Sequence, residues 1–424
     1  FEREREKKKK KTFRSKKIKK TQTLSNTSKN LQNHQKQQQQ KMSSTEGKPI
    51  ECLAAVAYEA NKPLVIEKIT VEPPKTHEIR VKILDSALCH TDAYTLSGAD
   101  PEGLFPCILG HEASGEVESV GPEVTDFTPG DHVILLYTAE CGECSFCKSP
   151  DTNLCVAVRS TQGKGVMPDG TVRFKNSKGE PIHHFMGCSS FSEYTVVADV
   201  SAVKIDKSFA TDKAALLGCG VTTGYGAALK TANVKEGSSV AIFGAGAVGL
   251  AVAQGAKARN ASKIIMIDTN PNKKTWATDF GATDFVNPLT DLKKDETIVS
   301  KLCSMSPDGY GIDYTFDCTG NVQVMSDALM ASRRGTGVSV IIGVAKSGEV
   351  ASIRPFFLVT GRTWKGTAYG GIKGRSEMNQ LIQDHKDGKL KLSEFITHRR
   401  KFSEINEAFH DLHQGDCLRT TFSF

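Results

Sequence analysis

One stretch limits the folds open to this chain more than any other: Ser239-Val-Ala-Ile-Phe243, followed at once by Gly244-Ala-Gly246-Ala-Val-Gly249. The apolar run predicts a buried strand. The three glycines predict a tight turn that a pyrophosphate can approach, opening a helix over 250–258 whose N-terminus favours an anion. A second strand, Lys263–Ile267, ends in Asp268, nineteen residues after Gly249. A carboxylate there suits the ribose 2′-hydroxyl of NAD, and it would meet the 2′-phosphate of NADP as a like charge. Further strands at Asp284–Val286, Tyr314–Asp317 and 338–344, with a helix at Val322–Ala331, alternate as in a doubly wound parallel sheet.

The preceding residues have a different texture. Segments 53–58, 64–71, 78–84, 115–120 and 132–136 read as short strands between Pro, Asn and Gly breaks, which predicts an antiparallel, barrel-like domain. Its loops are expected to carry Cys89-His90-Thr91-Asp92 and Gly110-His111-Glu112. Read singly, Cys89 is a buried core thiol and His111 a satisfied loop histidine. Together they can reach one Zn²⁺. Catalytic zinc takes three protein ligands and keeps a fourth position open, and Cys219, in Leu217-Gly218-Cys219-Gly220, is the candidate third ligand. It follows a predicted helix at 212–217. Cys141, Cys144, Cys147 and Cys155 stand in C-x₂-C-x₂-C-x₇-C spacing, which closes tetrahedrally on a structural zinc. An iron–sulfur cluster is the rival for such a run.

Toward the C-terminus an amphipathic helix is expected at 403–413 and a last strand at 416–420. The reading is therefore α/β plus β, in four parts. A basic tail spans 1–41. A catalytic domain spans 42–219, with its zinc lobe at 141–155. A coenzyme domain follows at 220–364, and the catalytic domain resumes at 365–424.

Charge separates the first part from the rest. Residues 1–41 hold 15 Lys/Arg and 3 Asp/Glu, whereas residues 42–424 hold 40 Lys/Arg and 45 Asp/Glu. The body is mildly acidic and gives no reason to expect a nucleic-acid partner. The tail is too polar to offset its ordering entropy and is expected to be unstructured. Met42-Ser43-Ser44 resembles a start. The longest uncharged apolar run, 240–253, carries three glycines and falls short of the roughly 20 residues a membrane span needs. Twelve cysteines without an apolar signal segment suit a reducing, cytoplasmic compartment.

With these residues in view, 47–424 resembles the zinc-dependent medium-chain alcohol dehydrogenases, most closely the class III type, the S-(hydroxymethyl)glutathione dehydrogenases. Its most specific stretches are residues 89–102, 105–112, 161–170 and 191–199, with Arg354-Pro-Phe and Gly361-Arg-Thr-Trp-Lys-Gly. The resemblance implies a GroES-like barrel catalytic domain beside a Rossmann domain, and a homodimer joined at an edge strand, for which 338–344 is the expected segment. It implies two zinc ions per chain. Cys89, His111 and Cys219 would hold the catalytic one, with Glu112 beside it and Asp92 fixing the His111 tautomer. Cys141, Cys144, Cys147 and Cys155 would hold the structural one. His90 and Arg419 would meet the NAD pyrophosphate, Lys273 the adenosine ribose, and Asp100, Glu102 and Arg159 the glutathione portion of the substrate. Thr91 would take the substrate proton while NAD⁺ takes a hydride.

Some members extend the proton relay to a histidine, where this chain has Tyr94. Some place Gln and Lys where this chain has Val156 and Gln323, which weakens polar contact with glutathione. The segment 332–337, with Arg333 and Arg334, also departs from the family pattern. Reduction of S-nitrosoglutathione and oxidation of long-chain primary alcohols are further implied activities. A general primary-alcohol dehydrogenase is the alternative within the enzyme class. An inactive zinc-binding scaffold, or RNA binding through the tail, are the alternatives outside it.

Overall fold

Strand Ser239–Phe243 ends at Gly244, where φ is +99°, and helix Ala247–Ala258 begins three residues later. A Cβ at Gly249 would lie 1.9 Å from the Gly244 carbonyl oxygen, so only glycine lets this helix pack against its own turn. The computed structural model describes residues 45–424, and the basic segment 1–41 lies outside them. Among the described residues six parallel strands form the sheet around this turn. Their order is Asp284–Val286, Lys263–Ile267, Ser239–Phe243, Tyr314–Asp317, Val338–Ile341 and Thr363–Gly366. In chain order that is 3-2-1-4-5-6, the dinucleotide-binding arrangement, whose ligand crevice opens where the order reverses, beside Ser239–Phe243.

The expected edge strand is corrected. Val338–Ile341 is paired on both sides, and the edge is Thr363–Gly366. Thr-Trp-Lys-Gly carries one large apolar residue, so it gives no apolar run to read. That sixth strand also runs two residues past the expected end of the coenzyme part at 364.

Strands Ile50–Ala57, Val65–Val71, Phe174–Lys175, Pro181–His184 and Cys107–Ile108 close a barrel. A second sheet is built on Glu78–Ala87, which pairs with Glu112–Val120, Tyr194–Ala198 and the terminal strand Arg419–Ser423. The chain's end thus returns to the first domain. The pairing is mostly antiparallel, but Cys107–Ile108 runs parallel to Pro181–His184, and Ile396–Lys401 parallel to Arg419–Ser423. The last strand begins at Arg419, three residues later than expected, and the helix before it is Ile405–Gln414.

Residues Pro49–Phe424 form one compact unit. Its largest core joins Val240, Ile242 and Leu250 of the coenzyme sheet to Leu217, Tyr369, Leu381 and Phe395. The segment after the sheet is therefore packed between the two parts of the fold. No helix among the described residues is long and apolar enough to cross a membrane.

Candidate active site

The stretch from Cys89 to Glu112 is not loop throughout. Cys89 is the extended residue before helix His90–Leu96, and Asp92 is the third residue of that helix. That position lets the Asp92 carboxylate reach back to the helix entry. One oxygen accepts from the Cys89 amide at 3.0 Å, and the other accepts from the Gly110 amide and His111 Nδ1, both at 3.0 Å. Asp92 is wholly buried. A single carboxylate thus fixes both ends of the stretch and leaves His111 Nε2 aimed away from it. Nε2 is buried with no hydrogen-bond partner among the described residues.

That orphan atom has company. Ligand atoms of Cys89, His111, Glu112 and Cys219 all lie within 4.8 Å of one another, and all four residues are buried. Cys219 arrives from the far side, before helix Gly220–Gly226. Glu112 accepts from the Gly220 amide at 2.9 Å and takes the Arg419 guanidinium on both oxygens, at 2.8 and 2.9 Å. Arg419 Nη2 also points at the Cys89 sulfur, 3.6 Å away. A Cβ at Gly220 would sit 2.0 Å from that nitrogen, so the close approach of Arg419 requires glycine there. Burial pushes the Glu112 carboxyl up to about 7, with Arg419 opposing. The hydrogen bond from Cys219 holds Cys89 well below the ordinary thiol range, aided by Arg419 and His111 against the cost of burial. Two soft thiols, one of them disposed to ionise, and an unpaired imidazole nitrogen fit a zinc ion.

The second cluster is equally clear. Cys141, Cys144, Cys147 and Cys155 also bring their sulfurs within 4.8 Å of one another. Backbone amides of Glu143 and Cys144 point at Cys141 Sγ, and that of Cys147 at Cys144 Sγ, at 3.3–3.4 Å. Hydrogen bonds from the backbone, Val156 first, lower Cys144 to about 6. Four thiols cradled by amide donors suit a closed tetrahedral metal.

Around the Gly-rich turn, a Cβ at Gly246 would meet nothing within 4 Å, so the space for a phosphate is open. Asp268 accepts from the Ala245 and Asn270 amides, both at 2.8 Å, and pairs with Lys273 at 3.2 Å. Its carboxylate orders the loop that follows strand Lys263–Ile267. His90 lies close enough to Arg419, Lys273 and His413 for their charges to act on it. Burial, reinforced by those neighbours, holds the His90 imidazole below its ordinary range, so Arg419 and Lys273 bring the positive charge that suits a pyrophosphate, and His413 is a neighbour that sequence reasoning missed.

The expected substrate residues also meet. Asp100 accepts from Thr95 Oγ1 at 2.7 Å and from the Glu102 amide at 2.9 Å, and Arg159 donates to Glu102 at 2.6 Å. All three line a cavity of about 370 Å³ that also reaches Tyr137 and Phe185. Those two rings stand edge-on to His111, with centroids 5.8 and 5.9 Å away. Gln162 pins the inner walls by donating to the Tyr137 and Met186 carbonyls at 2.7 and 2.6 Å. Neither the rings nor Gln162 had a sequence signal, because aromatic residues within apolar segments read as core. Thr91 Oγ1 lies 3.8 Å from Cys89 Sγ, and the Tyr94 hydroxyl reaches the Ala345 carbonyl at 3.5 Å. Val156 lines the cavity mouth. Gln323 does not, and bonds Asp327 one helical turn on. Arg333 forms an ion pair with Asp308, which gives the unexplained segment 332–337 a structural anchor.

Comparison with known proteins agrees with this geometry. Residues 75–207 match the model of the alcohol dehydrogenase GroES-like domain, and residues 247–386 that of the zinc-binding dehydrogenases. The S-(hydroxymethyl)glutathione dehydrogenase of Saccharomyces cerevisiae is 68% identical over 378 residues, covering 89% of this chain and 97% of that protein. The alcohol dehydrogenase class-3 of Pisum sativum is 57% identical over 377 residues, covering 89% and 98%. Among solved structures, an alcohol dehydrogenase zinc-binding domain protein from Burkholderia ambifaria superimposes with a TM-score of 0.81 at 31% identity, covering 89% of this chain and 99% of that one. Benzyl alcohol dehydrogenase from Acinetobacter calcoaceticus superimposes with a TM-score of 0.80 at 27% identity, covering 88% and 99%.

Proposed function

This chain belongs to the zinc-dependent alcohol dehydrogenase family, and from that premise we propose that it oxidises S-(hydroxymethyl)glutathione to S-formylglutathione with NAD⁺, and so removes formaldehyde. The observation that carries the substrate is the charged rim. Asp100, Glu102 and Arg159 gather at one cavity whose inner end is formed by the rings around His111. A guanidinium there suits a carboxylate of the glutathione portion, and the acids suit its ammonium group.

Cys89, His111 and Cys219 would hold the catalytic zinc, with Glu112 beside them. Cys141, Cys144, Cys147 and Cys155 would hold the second zinc. When bound, zinc supplies a Lewis acid for the substrate oxygen and NAD⁺ supplies the hydride acceptor. Asp92 keeps the proton on His111 Nδ1, so that Nε2 offers its lone pair to the metal. Thr91 would accept the proton of the substrate hydroxyl and release it toward solvent, since Tyr94 offers no imidazole to extend the relay. Gly244, Gly246 and Gly249 would admit the pyrophosphate, Arg419 would supply positive charge to it and the His90 imidazole a hydrogen-bond donor, and Asp268 with Lys273 would receive the ribose. S-nitrosoglutathione presents the same tripeptide to the same rim, and its reduction with NADH belongs to this reading.

The chain pairs as a homodimer through the exposed edge strand Thr363–Gly366. Val344, Val350, Phe356 and Val359 lie just before it in sequence, each at least 66% exposed, and an open edge beside exposed apolar residues invites a partner. Its cysteines are unpaired thiols among the described residues, which suits a cytoplasmic enzyme.

NADH formation from formaldehyde, with and without glutathione, tests the substrate. Rates should rise sharply when glutathione is added. Arg159→Ala should lower kcat/KM for the adduct by about 10-fold or more while octanol oxidation falls far less. Equal losses on both substrates would favour a general primary-alcohol dehydrogenase.

A further inference from the structure

Tyr369 stands in a backbone conformation that a bulky residue seldom adopts. Its φ is +52°, and Gly370 and Gly371 follow at +64° and +73°. A left-handed tyrosine persists only where its surroundings hold it. What holds this one comes from the four-cysteine lobe. Asn153, two residues before Cys155 and buried, donates through Nδ2 to the carbonyls of Ala368 and Ile372 at 2.9 and 3.0 Å. Those two carbonyls bracket Tyr369-Gly370-Gly371. The next residue, Lys373, donates through Nζ to the Cys147 and Ser149 carbonyls at 2.6 and 2.8 Å. The lobe therefore grips the segment where the chain leaves edge strand Thr363–Gly366 for the catalytic part. A Cβ at Gly370 would lie 2.6 Å from the Thr223 carbonyl oxygen, so the gripped segment is pressed against helix Gly220–Gly226.

Held this way, the wholly buried Tyr369 side chain is aimed at the catalytic cluster. Its hydroxyl donates to the Leu217 carbonyl at 2.7 Å, two residues before Cys219. Its ring stands edge-on to Tyr137 with centroids 5.3 Å apart, and Tyr137 in turn stands edge-on to His111. A Cβ at Gly218 would lie 3.2 Å from the His111 carbonyl oxygen, so the residues before Cys219 rest directly on the His111–Glu112 segment. One side chain thus backs the supports of two metal-ligand residues.

We infer that Tyr369 is a positioning residue for the catalytic metal centre, and that Asn153 makes its placement depend on the four-cysteine lobe. This rests on the zinc dehydrogenase reading of the site. Without the hydroxyl, the Leu217 carbonyl keeps only the Thr222 hydroxyl, at 2.7 Å, and Cys219 is freer to move away from Cys89 and His111. Without the Asn153 amide, Tyr369 relaxes toward an ordinary φ and the same tie is lost from a distance. Each loss should speed metal release from the catalytic site by about 5-fold, the worth of one net hydrogen bond.

The test uses the zinc-replete protein beside Tyr369→Phe, which keeps the ring, and Asn153→Ala. Zinc release to a chromogenic chelator gives the rate at each site. Cobalt exchanged into the site of Cys89, His111 and Cys219 reports ligand geometry through its visible absorption bands. In Tyr369→Phe release from that site should quicken by about 5-fold and the cobalt bands should shift, while the four-cysteine zinc leaves at the wild-type rate. Asn153→Ala should reproduce both effects at the catalytic site, and the double variant should be no worse than the more affected single one. An unchanged release rate and cobalt spectrum in Tyr369→Phe would overturn the positioning role. Effects of Asn153→Ala confined to the four-cysteine zinc, or additive in the double variant, would overturn the coupling. Neither readout needs a substrate. A protein with this metal behaviour that oxidised neither the glutathione adduct nor any alcohol would sink the proposed function and leave the role of Tyr369 standing.

Discussion

Replacing Asp92 by asparagine changes one oxygen to an amide and removes one charge, yet the structure predicts a large effect. The carboxylate accepts three hydrogen bonds, from the Cys89 amide, the Gly110 amide and His111 Nδ1. Asparagine has one acceptor oxygen. If it keeps the oxygen that serves Gly110 and His111, its NH₂ group faces the Cys89 N–H, donor against donor. If it flips, two donors are stranded. Either way at least one buried N–H goes unpaired, at a cost of about 1–3 kcal/mol, and the bond to His111 loses its charge assistance. Loss of such an outer partner typically weakens metal binding 10–100-fold, equivalent to about 1.4–2.7 kcal/mol. The assay is zinc content during dialysis against a chelator, followed beside NADH formation. Asp92→Asn should fall from two zinc ions per chain to one and lose activity in step, because the four-cysteine cluster contains no part of Asp92. Retention of both ions at the wild-type rate would refute the argument. Loss of both together would mean that the fold, not the tautomer, had failed.

Two further outcomes follow from other parts of the molecule. Burial, reinforced by the charge of Arg173, pushes the His184 imidazole down to about 3, against about 6.5 in an unfolded chain. The unfolded state therefore binds the extra proton, and stability that is full above pH 6.5 drains away as pH falls toward 3. Between pH 7 and 5 this amounts to about 2 kcal/mol, and His184→Gln should remove that share of the pH dependence in urea titrations. At the sheet edge, Phe356→Glu with Val359→Glu should shift the sedimentation of a dimer toward monomer, whereas the same change at exposed Leu289 should not.

Several parts of this architecture were legible because their logic is local. A phosphate turn needs glycines at adjacent positions, so Gly244 to Gly249 announces itself, and Asp268 follows at the distance one strand and one helix impose. The four-cysteine lobe is legible for the same reason. What escaped depends on remote contacts. Strand Thr363–Gly366 is recognised only by pairing with Val338–Ile341, since its own residues have no apolar period. Tyr137 and Phe185 look like core until the fold sets them beside His111. The helix His90–Leu96 is seven residues long with a cysteine before it, so it carried too little signal to stand out from loop. The pairing of Glu112 with Arg419 spans 307 residues, and spacing alone offers no route to it.

That pairing decides how the centre is assembled. Three carboxylates each accept from backbone amides in separate segments of the chain. Asp92 ties Cys89 to Gly110, Asp268 ties Ala245 to Asn270, and Glu112 ties His111 to Gly220 and Arg419. Only the last crosses from the first zinc ligands to the helix after Cys219 and to the terminal strand. Arg419→Met should therefore leave a buried carboxylate without its cation, which costs about 3–5 kcal/mol, and loosen Cys219 relative to Cys89. Arg419→Lys would restore charge but not the two-oxygen fork, and should recover only part of the loss. Thermal unfolding together with zinc retention at the three-ligand site measures both. If Arg419→Met raised only the KM for NAD and left stability and zinc untouched, Arg419 would be a cofactor contact alone, and the link from the last strand to the metal would be wrong.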